Sequence, residues 1–244
     1  MTRFLASLAL AVTVVSINPG QPVAAADAPG TESLARLKAG NAQFVSNPEA
    51  AVSIEASRRA ALAKGQAPFA TILSCADSRV PPEIVFHTGI GDLFVVRAAG
   101  NVTDRAILGS IEYGAEHLHT PLVVVMGHES CGAVKAASET PASTSLGPNL
   151  DYMLKAIRPA VAATRTRPES ERMRAAILQN VEETLNSMVK NSAILRDAGR
   201  AGHVTYIGAY YELSTGKVHF SEPADVTGMA AAGAKEHAHP GSHR

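Results

Sequence analysis

The apolar positions of this chain fall into two kinds of run. Phe69–Leu73 and Leu93–Val96 are short apolar stretches, the second opened by the turn residues Gly89 and Gly91. Leu122–Met126 is apolar at every position. Runs this short predict strands, and an unbroken one predicts a strand buried on both faces of a parallel sheet. Helical spacing separates them. Ser33–Val45 places Leu34, Leu37 and Phe44 on one side, with Thr31 or Ser33 as the candidate N-cap. Ser53–Ala63, stopped by Gly65, reads as a second helix, and Ala106–Leu118, Asn149–Thr164 and Glu169–Lys190 as three more. Ser138–Pro148 reads as weakly ordered. His203–Leu213 is β-rich, and Ser214-Thr215-Gly216 turns it into Val218–Phe220 as a hairpin. Strands alternating with helices predict an α/β fold: a mostly parallel central β-sheet flanked by helices, in a single domain.

The ends of the chain look different. Arg3, the apolar run Phe4–Val15 and Ala24-Ala25-Ala26 before Asp27 have the form of a secretory signal peptide. The expected organisation is therefore a signal at 1–26, a catalytic domain at 27–223 and an Ala/Gly/His-rich disordered tail at 224–244. Such a protein is exported, periplasmic or secreted after cleavage near Ala26. After residue 30 no apolar stretch approaches membrane-spanning length, so no stable membrane insertion is expected once the signal is removed. Lys+Arg and Asp+Glu both number 22. That balance offers no bulk attraction for nucleic acid.

Chemistry concentrates in two strings, Cys75-Ala76-Asp77-Ser78-Arg79 and Gly127-His128-Glu129-Ser130-Cys131-Gly132. They hold both cysteines of the chain, and each follows a predicted strand. Ligands gather beyond the carboxyl ends of strands in parallel sheets, so neighbouring strands would present both strings to one place. Cys75, His128 and Cys131 are sulfur and nitrogen donors suited to tetrahedral zinc. The fourth position decides the chemistry. With Asp77 in it the site is closed. With Asp77 paired to Arg79 the position is open to water, whose pKa zinc lowers toward neutrality. Two cysteines in an exported chain would ordinarily suggest a disulfide, but a disulfide has no need of Asp77, Arg79 and His128. A Cys131–His128 nucleophile pair leaves Cys75, Asp77 and Arg79 without roles, and His128 stands where a serine nucleophile elbow requires glycine.

SCADSRVPPE, GDLFVVRAAGN, SIEYGAEHL, VVVMGHESCGAVKAA and GAYYELSTGKVHF, in that order, resemble the β-class carbonic anhydrases over most of the mature chain. Ala76 and Ala98 stand where that family often has Ser and Asn. Ile72 stands where one subgroup carries a tryptophan beside a noncatalytic bicarbonate pocket. The resemblance implies one zinc per chain on Cys75, His128 and Cys131, with Asp77 as a fourth ligand or paired with Arg79. It implies reversible hydration of carbon dioxide to bicarbonate and a proton, with Asp77 and Arg79 catalytic and Gln66, Phe94, Tyr113 and Gly132 lining the substrate. It also implies a homodimer or homotetramer, with the Leu34–Val45 helix across the partner. Hydrolysis of carbon disulfide or carbonyl sulfide on the same scaffold, and a non-catalytic structural zinc module, are the alternatives.

Overall fold

The computed structural model describes residues 30–52 and 54–226. In chain order the elements are α1 (Thr31–Ser46), α2 (Ala56–Leu62), β1 (Ala70–Ser74), α3 (Pro82–Val85), β2 (Leu93–Arg97), a short 3-10 turn (Ala99–Asn101), α4 (Arg105–Glu116), β3 (Leu122–His128), α5 (Gly132–Glu139), α6 (Pro148–Ala163), α7 (Glu169–Asn191), α8 (Ala193–Arg200), β4 (Thr205–Tyr211) and β5 (Val218–Pro223). The strand order is β2-β1-β3-β4-β5. All pairings are parallel except β4–β5, the expected hairpin.

The pleat of β3 divides the core. Val123 and Val125 face one layer, with Leu73, Ile111 of α4, Val181, Leu185 and Met188 of α7 and Leu195 of α8. Leu122, Val124 and Met126 face the other, with Ile72, Leu37 of α1 and Val85 of α3. Leu122 to Met126 are all 0% exposed. Each such side chain contributes about 1.5–3 kcal/mol on burial, so the LVVVM run organises both layers. Ile72, at the position of the subgroup tryptophan, is spent on this packing.

Three helices were not expected: α3, α5 and α8. The stretch read as weakly ordered begins inside α5, which ends only at Glu139. Strand β3 runs two residues further than expected, so His128 belongs to the sheet rather than to a loop. Helix α1 is preceded by Gly30 with φ 86°, not capped by Thr31 or Ser33. Ser33 is instead buried within the helix and donates to the Phe69 carbonyl at 2.7 Å. Leu34, Leu37 and Phe44 all pack on this chain's own core. The packed chain also continues past 223: the Ala224 N–H donates to the Tyr206 carbonyl at 2.8 Å, and Val226 is buried. Residues 1–29, with the expected signal peptide, and residues 227–244, with most of the expected tail, lie outside the described residues. Among the described helices none is long and apolar enough to cross a membrane.

Asn41 fastens α1 to this framework. Its Nδ2 donates to the carbonyls of Val85 (3.1 Å) and Gly216 (2.8 Å), and its Oδ1 accepts from the Val218 N–H at 2.9 Å. Asn41→Leu keeps the volume but strands one buried donor and two acceptors. The expected cost is about 2–4 kcal/mol, a fall in Tm of roughly 5–15 °C for a domain of this size. An unchanged thermal midpoint would show that α1 docks by apolar contact alone.

Candidate metal centre

The sheet topology brings the two strings together. From β1 the chain passes to β2 on one side, while β3 lies on the other, so the β1/β3 junction is a switch point where a crevice opens at the carboxyl ends. Ser74 pairs with Met126 in register, which sets Cys75 beside the end of β3. Gly127 permits the close approach of α7 there: a Cβ would come within 2.8 Å of Val181 Cγ2 and 2.9 Å of Ile177 Cγ2. Ser130 takes a left-handed φ of 55°, which turns the chain from β3 into α5 and leaves Cys131 at the helix N-cap. A helix N-terminus favours a thiolate.

The ligating atoms of Cys75, His128 and Cys131 all lie within 4.8 Å of one another, and all three residues are buried. Tetrahedral zinc with sulfur at about 2.3 Å needs donors about 3.8 Å apart, so only a small contraction is required. His128 Nδ1 lies 2.9 Å from the Glu129 carbonyl. A carbonyl can only accept, so Nδ1 carries the hydrogen and Nε2 keeps its lone pair for the cluster. That Nε2 is buried without a hydrogen-bond partner among the described residues. An orphaned buried nitrogen costs about 1–3 kcal/mol, and a metal ion removes that cost. The donor set and this vacant lone pair fit zinc.

The two cysteines are free, not bridged. The neighbouring Cys131 side chain, with the Gly100 N–H, pushes the Cys75 thiol well below its ordinary value despite burial. The neighbouring Cys75 side chain, together with burial, pushes the Cys131 thiol up. Metal ligation requires both sulfurs as thiolates, so a divalent cation binds there with release of the protons they carry.

Asp77 is paired with Arg79. The guanidinium donates through Nε to Oδ1 at 2.9 Å and through Nη2 to Oδ2 at 2.8 Å, and the Arg79 N–H adds a bond to Oδ1 at 3.0 Å. This fork holds the Asp77 carboxyl far below the usual carboxylate range. Asp77 Oδ2 nevertheless lies 3.9 Å from His128 Nε2, at the edge of the cluster. Of the two arrangements left open by the sequence, the structure adopts the Arg79-paired one.

Several contributors lie outside the sequence expectation. Arg97, at the end of β2, donates through Nε to the Cys75 carbonyl (3.0 Å) and through Nη2 to the Asp77 carbonyl (2.6 Å), fixing the first string. Glu129 fixes the second: its N–H donates to the Tyr211 carbonyl at 2.8 Å, and its carboxylate accepts from the Ser214 N–H at 2.9 Å. Gly132 adjoins Cys131 and has open space where a Cβ would stand. A single chain does not bring Gln66, Phe94 or Tyr113 there. Phe94 pairs with Thr71, four residues before Cys75. At about 3.3 Å per strand residue that is roughly 13 Å away. Tyr113 packs on Phe94 at 6.0 Å and on His117 at 5.1 Å between ring centroids. Gln66 precedes β1 and lines a surface cleft with Leu62, Ile90 and Leu93.

A sequence model of the carbonic anhydrase family matches residues 70–218. Carbonic anhydrase 2 of Mycobacterium tuberculosis is 40% identical over 182 residues, covering 74% of this chain and 87% of that protein. A carbonic anhydrase of Mycolicibacterium smegmatis is 39% identical over 188 residues, covering 75% and 88%. Among solved structures, the β-carbonic anhydrase CafA of Aspergillus fumigatus superposes with a TM-score of 0.62 at 26% identity, covering 80% of this chain and 91% of that one. A β-carbonic anhydrase of Sordaria macrospora gives 0.60 at 25% identity, covering 78% and 95%. By sequence and by fold, this chain belongs to the β-class carbonic anhydrases.

Proposed function

We propose that this chain catalyses the reversible hydration of carbon dioxide to bicarbonate and a proton, with one zinc ion on Cys75, His128 and Cys131. The observation that carries the reading is the buried Cys-His-Cys triad with Asp77 drawn aside by Arg79, which leaves a fourth position. Zinc, when bound, supplies the acidity: it lowers the pKa of water in an open position from about 16 to about 7. The chain supplies the rest. Nδ1–H of His128, held by the Glu129 carbonyl, fixes the ring so that Nε2 faces inward. Arg79 keeps the Asp77 carboxylate ionised, so Oδ2 cannot retain a proton near neutral pH. Asp77 therefore acts as a fixed hydrogen-bond acceptor that orients water beside the metal, and the proton leaves to solvent or buffer. The family reaction favours carbon dioxide over carbon disulfide or carbonyl sulfide, and the pairing of Asp77 with Arg79 rather than with the ligand cluster argues against a purely structural zinc.

The assembly we propose is a homodimer or a homotetramer. The Sordaria macrospora relatives are tetrameric. Gln66, Phe94 and Tyr113 reach a metal centre only if a second copy brings them, and Tyr113 (46%) and Ile90 (44%), which shares a cleft with Gln66, are exposed in one chain. We also propose export with cleavage after Ala26, supported by the charged, apolar and small-residue order of the first 26 residues. The mass of the purified particle and its first residue test these two statements: a monomer, or a chain still starting at Met1, would count against them.

Stopped-flow carbon dioxide hydration across pH, with zinc assayed on the same sample, tests the activity. Rapid hydration with about one zinc per chain, lost on chelation, is expected. Full zinc with no hydration at any pH would overturn the reading.

A further inference from the structure

Cys75 Sγ does not stand alone in its pocket. The Gly100 N–H donates to it at 3.3 Å. Gly100 sits in the 3-10 turn after β2, with φ 66° and ψ 19°. The turn is wedged between helices: a Cβ at Gly100 would lie 2.6 Å from Ile157 Cδ1 of α6 and 3.1 Å from Ala133 Cβ of α5. On the α7 side the contact is polar. Asn180 Nδ2 donates to the Gly100 carbonyl at 2.8 Å, across 80 residues of sequence. Asn180 is 2% exposed and lies on the buried stripe of α7 among Ile177, Val181 and Thr184. A buried amide on an apolar stripe needs a reason, since an apolar residue would pack there at no desolvation cost.

We propose that Asn180 is a positioning residue for the metal centre: by holding the Gly100 carbonyl, it aims the Gly100 N–H at the sulfur of Cys75. A peptide group is rigid and planar. Yet the carbonyl and the N–H of one glycine belong to different peptide groups, joined only through the two torsions at its Cα. Gly100 has more torsional freedom than any other residue type would have there. Fixing its carbonyl therefore restrains the direction of its N–H. An N–H bond to a thiolate withdraws electron density from the sulfur and orients its lone pairs. Partners of metal ligands acting in this way typically change metal affinity or activity 10–100-fold when removed. Asn180 thus links α7, the helix that packs against both β3 and β4, to the electronic state of one zinc ligand.

The inference rests on Cys75 being a metal ligand, and cobalt(II) separates the two claims. Zinc is d10 and spectroscopically silent, whereas cobalt on the same donors shows a sulfur-to-metal charge-transfer band in the near ultraviolet. The full chain is stripped with chelator, reloaded with cobalt and compared with Asn180→Leu and Asn180→Ser. The serine variant cannot reach Gly100, introduces no extra bulk, and stands in if the leucine variant does not fold. Thr184→Val, one turn along α7, controls for disturbance of the helix. We expect the charge-transfer band of the Asn180 variants to move to longer wavelength, because a less hydrogen-bonded thiolate gives up its electron more readily. Cobalt affinity in chelator competition should fall about tenfold. Thr184→Val should leave the band in place. Folded Asn180 variants with an unmoved band, or an equal shift in Thr184→Val, would overturn the positioning role. A wild-type chain lacking any thiolate band would overturn the metal assignment itself and this role with it.

Discussion

His128→Ala abolishes carbon dioxide hydration and leaves the chain without zinc. Among the described residues three side chains gather as ligands, and the imidazole is the one nitrogen in that cluster. Two thiolates cannot enforce a tetrahedral site alone, and a water in place of Nε2 has no fixed orientation. Zinc content should fall from about one per chain to below a tenth, and hydration by about three orders of magnitude or more, because the metal supplies the acidity of the attacking water. The ring is fully buried, so its loss also leaves a cavity. A second readout separates the two effects. A ligand that binds only the folded state stabilises it by about 2.7 kcal/mol at a hundredfold excess over Kd. The melting temperature of the wild-type chain should therefore drop on chelation, while that of His128→Ala should not respond to chelator. A variant that retains zinc and a chelator-sensitive melting point would show that the metal is held elsewhere.

The parts of this molecule that were legible in the sequence are those whose signal is local. LVVVM announces a strand buried on both faces, and the two cysteine strings carry their ligands within a few residues of strand ends. That β1 and β3 are neighbours was expected from the two strings, whereas the full order β2-β1-β3-β4-β5, with the connection from β2 passing over β1 to β3, was not read from the sequence. The misses have physical causes. Helix α5 begins immediately after Cys131 and buries only Val134 and Ala137, too few positions for a clear helical period. Helix α8 follows α7 across Ser192 alone, and the one available sign was Ser192 itself, whose hydroxyl accepts from the Leu195 N–H at 3.1 Å. Arg97, Glu129, Gly100 and Asn180 act through backbone groups distant in sequence, and such bonds leave no local pattern. Asn180 did leave a trace, as a polar residue on the apolar stripe of α7. Gln66, Phe94 and Tyr113 were named by resemblance alone, and a single chain does not bring them to the metal ligands.

Asp77→Asn retains zinc and loses most of the activity. The substitution preserves shape and removes the charge, so it isolates what the carboxylate does. In the structure the carboxylate accepts three bonds from Arg79 and stands 3.9 Å from His128 Nε2. Asparagine offers one acceptor oxygen instead of two, and its Nδ2 would point hydrogens at a guanidinium or at the cluster. Either way the fork opens, and the acceptor that orients water is lost or turned. Misplacement of about 1 Å in such an orienting group costs on the order of 10²-fold, and that is the expected fall in hydration rate. Cys75, His128 and Cys131 are untouched, so zinc should remain near one per chain. The direction of the Asp77 shift sharpens the test. Because Arg79 holds the carboxyl ionised far below the ordinary range, its protonation does not contribute to the wild-type pH–rate profile near neutrality. The Asn variant should therefore be slower by a similar factor at every pH in that range, with the profile neither gaining nor losing an inflection. Loss of zinc along with activity would make Asp77 chiefly a ligand, and a rate equal to wild type would remove it from the reaction altogether.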